Sequence, residues 1–340
     1  MIGTTITQFL IEEQRRFPSA TGDLTAVIND IVTACKTITA AMRFGALSDQ
    51  NLLGASSNEN VQGETQKTLD IVANDLMLRR TEFGGHVAAM ASEEMESVYH
   101  SPNYFPKGRY LLLYDPVDGS SNIAENASIG TIFSILKRPE QATGKPDPAE
   151  FLQPGTQQVC AGYAIYGPSS MVVITTGNGV NGFTLDPLVG EYILSHPSMT
   201  VAKDTSRFFI NTAASFHWDE PFQRYMADIL SGRQGKRGRD FELRWSAGAV
   251  ADVHRLLIAG GIYLNPLHGQ LREQGLVGKL RLLYEVNPLS MLVEQAGGVA
   301  TTGEGRALEV EPTSIHQRCP VIMGSDNEVK LLLSDYLGHA

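Results

Sequence analysis

Only three cysteines occur in the 340 residues, Cys35, Cys160 and Cys319, and they lie far apart with no paired spacing. That excludes a disulfide-stapled scaffold and reads as reduced core thiols in a cytoplasmic protein. Long apolar runs are equally scarce. None approaches the ~20 residues that span a bilayer. The first 16 residues carry Gln8, Glu12 and Glu13 among their apolar positions, so they lack a secretory core. Clustered base is missing too. Lys and Arg total 27 against 37 Asp and Glu, a formal charge of −10, which argues against a binder of nucleic-acid phosphates. There is no internal repeat and no low-complexity tract.

What is present can fold. Hydrophobic residues make up 42%, too many for a disordered chain. At roughly 150 residues per domain the length suggests two domains. The pattern changes after about residue 200, which divides the chain into 1–200 and 201–340, with the boundary near 195–203. In the first part, Val27, Ile28, Ile31, Val32, Cys35, Ile38 and Met42 recur at helical spacing over 27–44, with Thr25 as the cap. A second helix is expected at 66–79. The apolar run 110–114 fits a buried strand that stops at Asp115-Pro116. Further strands fall at 159–166, 171–176 and 183–185, and 141–154 reads as an exposed loop. In the second part, strands are expected at 207–211, 241–245, 262–264 and 280–284. Helices are expected at 221–230, 249–259, 287–296 and 327–337, two of them ended by the Gly260-Gly261 and Gly297-Gly298 pairs.

The strongest chemical signal is Asp115-Pro116-Val117-Asp118-Gly119-Ser120-Ser121. Two carboxylates lie three residues apart where a buried strand opens into a turn. Pro116 fixes one φ angle and Val117 offers a free carbonyl. Gly119, Ser120 and Ser121 add a permissive backbone with amide donors, suited to an anion if a helix begins there. An isolated Asp-x-x-Asp-Gly is as readily an Asx-capped turn. Other acids give it company: Glu93-Glu94 after an apolar stretch, Asp70 on an apolar helix, and Glu285 closing the run 280–284. Each alone reads as a solvated or structural acid. If they converge, they need a cation, because unit charges ~4 Å apart repel by about 4 kcal/mol at an effective dielectric near 20. Hard oxygen donors without a His or Cys cluster favour Mg2+, or Mn2+, over zinc.

Several separated segments then resemble class 1 fructose-1,6-bisphosphatase over nearly the whole chain. They are Lys67-Thr68-Leu69-Asp70, Ser92-Glu93-Glu94, the DPVDGSSN segment at 115–122, and Ser128-Ile129-Gly130-Thr131-Ile132-Phe133. Leu152-Gln153-Pro154-Gly155, Ala161-Gly162-Tyr163, Val250-Ala251-Asp252-Val253-His254-Arg255 and the GKLRLLYEVNP segment at 278–288 follow. Gly297-Gly298 and 312–318 complete the set. Asp-Pro-x-Asp-Gly-Ser alone would indicate only the wider lithium-sensitive phosphatase superfamily.

The resemblance implies an α/β (α+β) fold of five layers, α-β-α-β-α, in two sub-domains, and hydrolysis of the 1-phosphate of fructose 1,6-bisphosphate by a metal-activated water. It implies two or more Mg2+ held by Glu93, Asp115, Asp118, Glu285 and the Val117 carbonyl. Glu64, where the family typically has Asp, is a further candidate ligand and catalytic acid. Asp118, Gly119, Ser120 and Ser121 would hold the departing phosphate, and Glu94 with Asp70 would orient or deprotonate the water. Asn211, Arg244 and Lys279 match positions that contact the second phosphate, the arginine coming from a neighbouring subunit of a homotetramer.

Departures from the family pattern cluster at that second phosphate. Trp245 and Asn265 stand where tyrosines are usual, and Thr212-Ala213-Ala214 replaces a Glu-Gly-Tyr run. A roomier pocket there would admit sedoheptulose 1,7-bisphosphate as well. The family's AMP site is partly recognisable in Thr21, Gly22, Asp23 and Thr25, in Arg109-Tyr110, and in Lys137, where Arg is usual. The cysteine loop of the redox-regulated chloroplast enzyme is absent. Gluconeogenesis and the Calvin cycle are both open as pathways. Two other readings are an inositol monophosphatase-like enzyme, disfavoured by the C-terminal segments, and a non-catalytic sugar-phosphate sensor, disfavoured by the full set of acids.

Overall fold

The computed structural model describes residues 3–16, 20–43, 55–59 and 65–338. Seven strands form the larger sheet, in the order Val87–Ser92, Tyr110–Asp118, Ile129–Lys137, Gln158–Tyr166, Ser170–Thr175, Val180–Asp186 and Glu191–Met199. The first pair is parallel and every later pair antiparallel. The central strands are buried on both faces because both faces are covered, while the edge strand Glu191–Met199 is largely exposed or half-exposed. Along Gln158–Tyr166, Cys160, Ala164 and Tyr166 point to one side and Tyr163 and Ile165 to the other. The period of two sorts them into separate cores.

Helices Ile6–Arg15, Asp23–Met42 and Thr68–Glu82 fill the first core with Ile31, Cys35, Ile38 and Met77. Helices Ala249–Ala259 and Asn287–Gln295 fill the second core, sandwiched between the large sheet and a five-stranded one. That smaller sheet runs Glu242–Leu243, Arg207–Phe209, Ile262–Asn265, Val321–Gly324, Val299–Thr301. Its far face packs on helices Glu220–Leu230 and Asp326–Leu332. The result is a layered α-β-α-β-α stack. All three cysteines are free and buried, as the sequence suggests.

Several elements differ from the sequence reading, each for a physical reason. The first long helix begins at Asp23, behind Gly22 at φ +89°, so Thr25 lies inside it and bonds Gln14 Oε1 through its hydroxyl (3.1 Å) instead of capping. At 20 residues this helix is long and apolar enough to cross a membrane. Here its apolar side is in the core. The run from Tyr110 does not stop at Asp115. It continues to Asp118, shifting register between Asp115 and Asp118 where Pro116 cannot donate to the ladder. Residues 280–284 form only a short strand, Leu280–Arg281, before a wide helical turn, Leu282–Val286. Glu285 therefore sits in a π turn and not at a strand end. Strands Ile129–Lys137 and Glu191–Met199 have no counterpart in the sequence reading, the first because Gly130, Thr131 and Ser134 dilute its apolar signal.

Candidate active site

Asp115 and Asp118 end the second strand of the large sheet, and Glu285 approaches from the π turn before helix Asn287–Gln295. One carboxylate oxygen from each lies within 4.8 Å of the others. All three residues are buried. Local bonds aim them. The Val117 N–H donates to Asp115 Oδ1 (2.9 Å), Val250 N–H to Asp118 Oδ2 (2.7 Å), and Arg281 N–H to Glu285 Oε2 (2.6 Å). Glu93 closes the group from the neighbouring strand, its N–H bonded to the Tyr114 carbonyl and Oε1 paired with Arg281 Nη2 at 2.5 Å.

Burial pushes these acids toward the neutral form, and their mutual repulsion adds to it. Asp118 is raised to about 7, chiefly by burial and then by Glu285, against the pull of the Val250 and Ala249 amides. Burial lifts Asp115 well above the carboxylate range, followed by Glu93, Asp118 and Glu285. Glu93 is raised by burial, with Arg281 opposing and Glu94 reinforcing. Burial also raises Glu285, with Arg281 opposing. Buried acids of this kind, with Arg281 pairing Glu93 and oxygens of Asp115, Asp118 and Glu285 converging, fit a hard divalent cation, which removes the repulsion.

The same cleft, about 200 Å³, is lined by Glu93, Glu94, Asp115, Val117, Asp118, Gly119, Ser120, Ser121, Trp245, Asn265, Lys279 and Glu285. The phosphate-loop candidates turn at Gly119, φ +77°, where a Cβ would approach the Gly248 Cα to 3.3 Å. That combination calls for glycine. Ser120–Asn122 is a single 3-10 turn and not a full helix, so its donors act as a local nest. At the other end Trp245 stacks on Tyr263 at 6.4 Å and 17°, and Asn265 Nδ2 donates to the Tyr263 hydroxyl at 3.4 Å.

Other candidates lie elsewhere. Asp70 is buried outside the cleft lining and accepts the Lys67 N–H (2.8 Å) at the start of helix Thr68–Glu82. Asn211 is exposed and caps the 3-10 turn Thr212–His217 through Ala213 N–H. Arg244 leaves the cleft, pairs with Glu242 at 3.1 Å, and lines a separate hollow with Phe209, His254 and Ile258. Glu64 lies outside the described residues.

Three cleft features escape the sequence reading: Arg281, Tyr263 and Ala247. Arg281 was detectable as a cation embedded in an apolar run four residues before Glu285. Nothing local marks Ala247, which adopts φ +59°.

A second hollow of about 270 Å³ gathers Thr21, Thr25, Arg109, Tyr110 and Lys137 on the far side of the sheet, beside Leu10, Glu13, Gln14 and Leu24. Gly22 caps the helix behind it, and Asp23 Oδ2 holds Arg109 at 3.3 Å.

Converging buried carboxylates beside a nest of amide donors are the arrangement of a hydrolase that works on phosphate esters. The profile described as Fructose-1-6-bisphosphatase, N-terminal domain, matches residues 4–197, and that of the C-terminal domain matches 201–336. The chain belongs to the class 1 fructose-1,6-bisphosphatase family. It is 52% identical to the class 1 fructose-1,6-bisphosphatase of Hydrogenophilus thermoluteolus over 96% of this chain and 90% of that one. Identity to the one from Halorhodospira halophila is 50%, over 97% of each. Among solved structures, Leishmania major fructose-1,6-bisphosphatase in holo form superimposes with a TM-score of 0.91 at 36% identity, covering 98% of this chain and 99% of that one. Its apo form gives 0.85 at 34% identity, covering 98% of each.

Proposed function

We propose that the protein hydrolyses fructose 1,6-bisphosphate to fructose 6-phosphate and phosphate. The carrying observation is the juxtaposition, in one cleft, of the Asp115, Asp118 and Glu285 oxygens with the Gly119-Ser120-Ser121 turn. Family membership and the curated relatives' names support the same reading.

Glu93, Asp115, Asp118, Glu285 and the Val117 carbonyl would hold Mg2+, two or more ions, with Glu64 as a further ligand. The bound metal supplies charge neutralisation and a more acidic water. The chain's own groups do the rest. Amides and hydroxyls of Gly119, Ser120 and Ser121 bind the 1-phosphate oxygens and orient the ester for in-line displacement. Glu94, at the cleft wall beside Glu93, accepts the proton of the attacking water. Asp70 and Glu64 contribute to that step. Lys279 neutralises the second phosphate, while Trp245, Asn265 and Asn211 shape its surroundings. Arg244, turned out of its own cleft, is suited to serve a neighbouring subunit in a homotetramer. With two aromatic phenols replaced by Trp245 and Asn265, the far end has fewer hydroxyl donors, and sedoheptulose 1,7-bisphosphate is a second substrate. The Thr21 to Thr25 hollow takes AMP as an allosteric inhibitor. We place the protein in the cytoplasm, in gluconeogenesis or the Calvin cycle, and divide it near residue 200.

The test is phosphate release from fructose 1,6-bisphosphate, sedoheptulose 1,7-bisphosphate and inositol 1-phosphate, each with and without Mg2+ and AMP. Release from the first, dependent on Mg2+, is expected. Release from inositol phosphate alone would overturn the reading. Lys137→Ala should weaken AMP inhibition without changing uninhibited turnover.

A further inference from the structure

The segment 244–248 joins the two ends of the cleft, and its geometry is over-determined. It leaves the edge strand Glu242–Leu243, sends Trp245 into the cleft and Arg244 out of it, and enters helix Ala249–Ala259. Within it, Ala247 is held at φ +59°. A residue with a Cβ is strained in that region and persists only where its surroundings impose it.

The imposing group is Asp252, fully buried in the first turns of that helix. Its Oδ1 accepts the Ser246 hydroxyl at 2.7 Å and its Oδ2 accepts the Ser246 N–H at 3.2 Å. Arg255 Nη1 lies 3.4 Å from Oδ1 and balances the charge. Ser246 is also tied on its other side. Its carbonyl accepts Asn122 Nδ2 at 2.6 Å, and Asn122 is the last residue of the phosphate-loop turn. Two residues on, Gly248 sits close enough to that loop that an added Cβ would meet Gly119 Cα at 3.4 Å. A continuous chain of bonds thus runs from Asp252 through Ser246 to Asn122, with Trp245 attached at its midpoint.

We propose that Asp252 is a positioning residue that couples the far end of the cleft, where Trp245 sits, to the loop Gly119–Asn122 that holds the departing phosphate. This rests on the bisphosphatase reading above. Contacts to the non-reacting phosphate accelerate the chemistry only if they are transmitted to the reacting end. Asp252 provides the transmission by holding Ser246 in one arrangement. A role confined to stability would not distinguish substrates that have the second phosphate from those that lack it.

The experiment compares kcat/KM for fructose 1,6-bisphosphate and fructose 1-phosphate in the Mg2+-loaded full chain. In Asp252→Ala the preference for the bisphosphate should fall roughly tenfold or more, the usual worth of a hydrogen bond to a charged group, with monophosphate turnover within about twofold of wild type. Asp252→Asn keeps an acceptor for the Ser246 hydroxyl but turns its NH2 toward the Ser246 N–H, and should restore part of the preference. Ser246→Ala, which retains the N–H bond, should lose part of it and serves if Asp252→Ala does not fold. Equal proportional losses on both substrates, or an unchanged preference in both variants, would overturn the coupling. Failure of the wild type to release phosphate from either sugar would instead overturn the bisphosphatase reading, and the coupling with it.

Discussion

The two ends of the cleft are built on different terms. The acidic end, proposed to hold metal, is made from a strand terminus and a π turn inside the core. Its acids are buried, and each of Asp115, Asp118 and Glu285 accepts a backbone N–H within 2.9 Å. The far end mixes exposed or half-exposed side chains on loops with Asn265 and Tyr263, buried on strand Ile262–Asn265. Lys279 and Arg244 are exposed, Trp245 is half-buried, and Asn211 caps a surface turn. Positions held by backbone bonds in a close-packed interior are costly to vary. Positions on loops are not. Trp245 stands on such a loop, whereas Asn265 is buried at the end of a strand, so exposure alone does not sort the two ends.

The comparison can be broken by mutation at either end. Glu94→Gln should lower kcat about a thousandfold or more at unchanged KM, since it removes the proton acceptor while conserving shape. A normal rate would remove Glu94 from the chemistry. At the far end Lys279→Ala should instead raise KM ten- to a hundredfold, the loss expected for one charged contact, and leave turnover of fructose 1-phosphate unchanged. Equal damage to both substrates would show that the two ends are not separable.

Acid–base behaviour sharpens the contrast. In the metal-free protein the folded-state pKa values of Asp115, Asp118, Glu93 and Glu285 are raised. The fold therefore binds more protons than the unfolded chain, and the associated stability is present in acid and lost as pH rises through about 7, the value of Asp118. Without metal, the thermal stability should fall from pH 6 to 8. Added Mg2+ competes with those protons, so its stabilisation should be larger at pH 8 than at pH 6. A pH-independent metal effect would mean that the acids are already ionised. The smallest effect is expected from Asn265→Tyr, a few-fold fall in KM for fructose 1,6-bisphosphate with a relative loss on sedoheptulose 1,7-bisphosphate.

Legibility in the sequence follows the same division. The acidic cluster is legible because Asp115, Val117 and Asp118 fall within four residues at the end of an apolar strand, and because Glu285 follows another apolar run. Even there the local geometry was misjudged. Strand pairing carries Tyr110–Asp118 through Pro116 by a shift of register, and the chain winds into a π turn at Leu282–Val286, neither of which periodicity encodes. Ile129–Lys137 stayed hidden because its pairing with both neighbours, not its composition, makes it a strand. Asp70 is expected as a catalytic acid; in the structure it is buried and accepts the Lys67 N–H at the start of helix Thr68–Glu82. Arg281, Tyr263 and Ala247 enter the cleft through tertiary contacts between segments far apart in the chain, which no window of sequence contains.

The bond from Val250 N–H to Asp118 Oδ2 has a consequence for how the protein could be watched. That amide belongs to the first turn of a helix wedged between the two sheets, and its acceptor is a carboxylate whose charge changes when a cation arrives. The Val250 resonance in a nitrogen–proton correlation spectrum is then a native sensor of occupancy. Its chemical shift follows metal loading from inside the molecule, with no substrate turned over and no label attached.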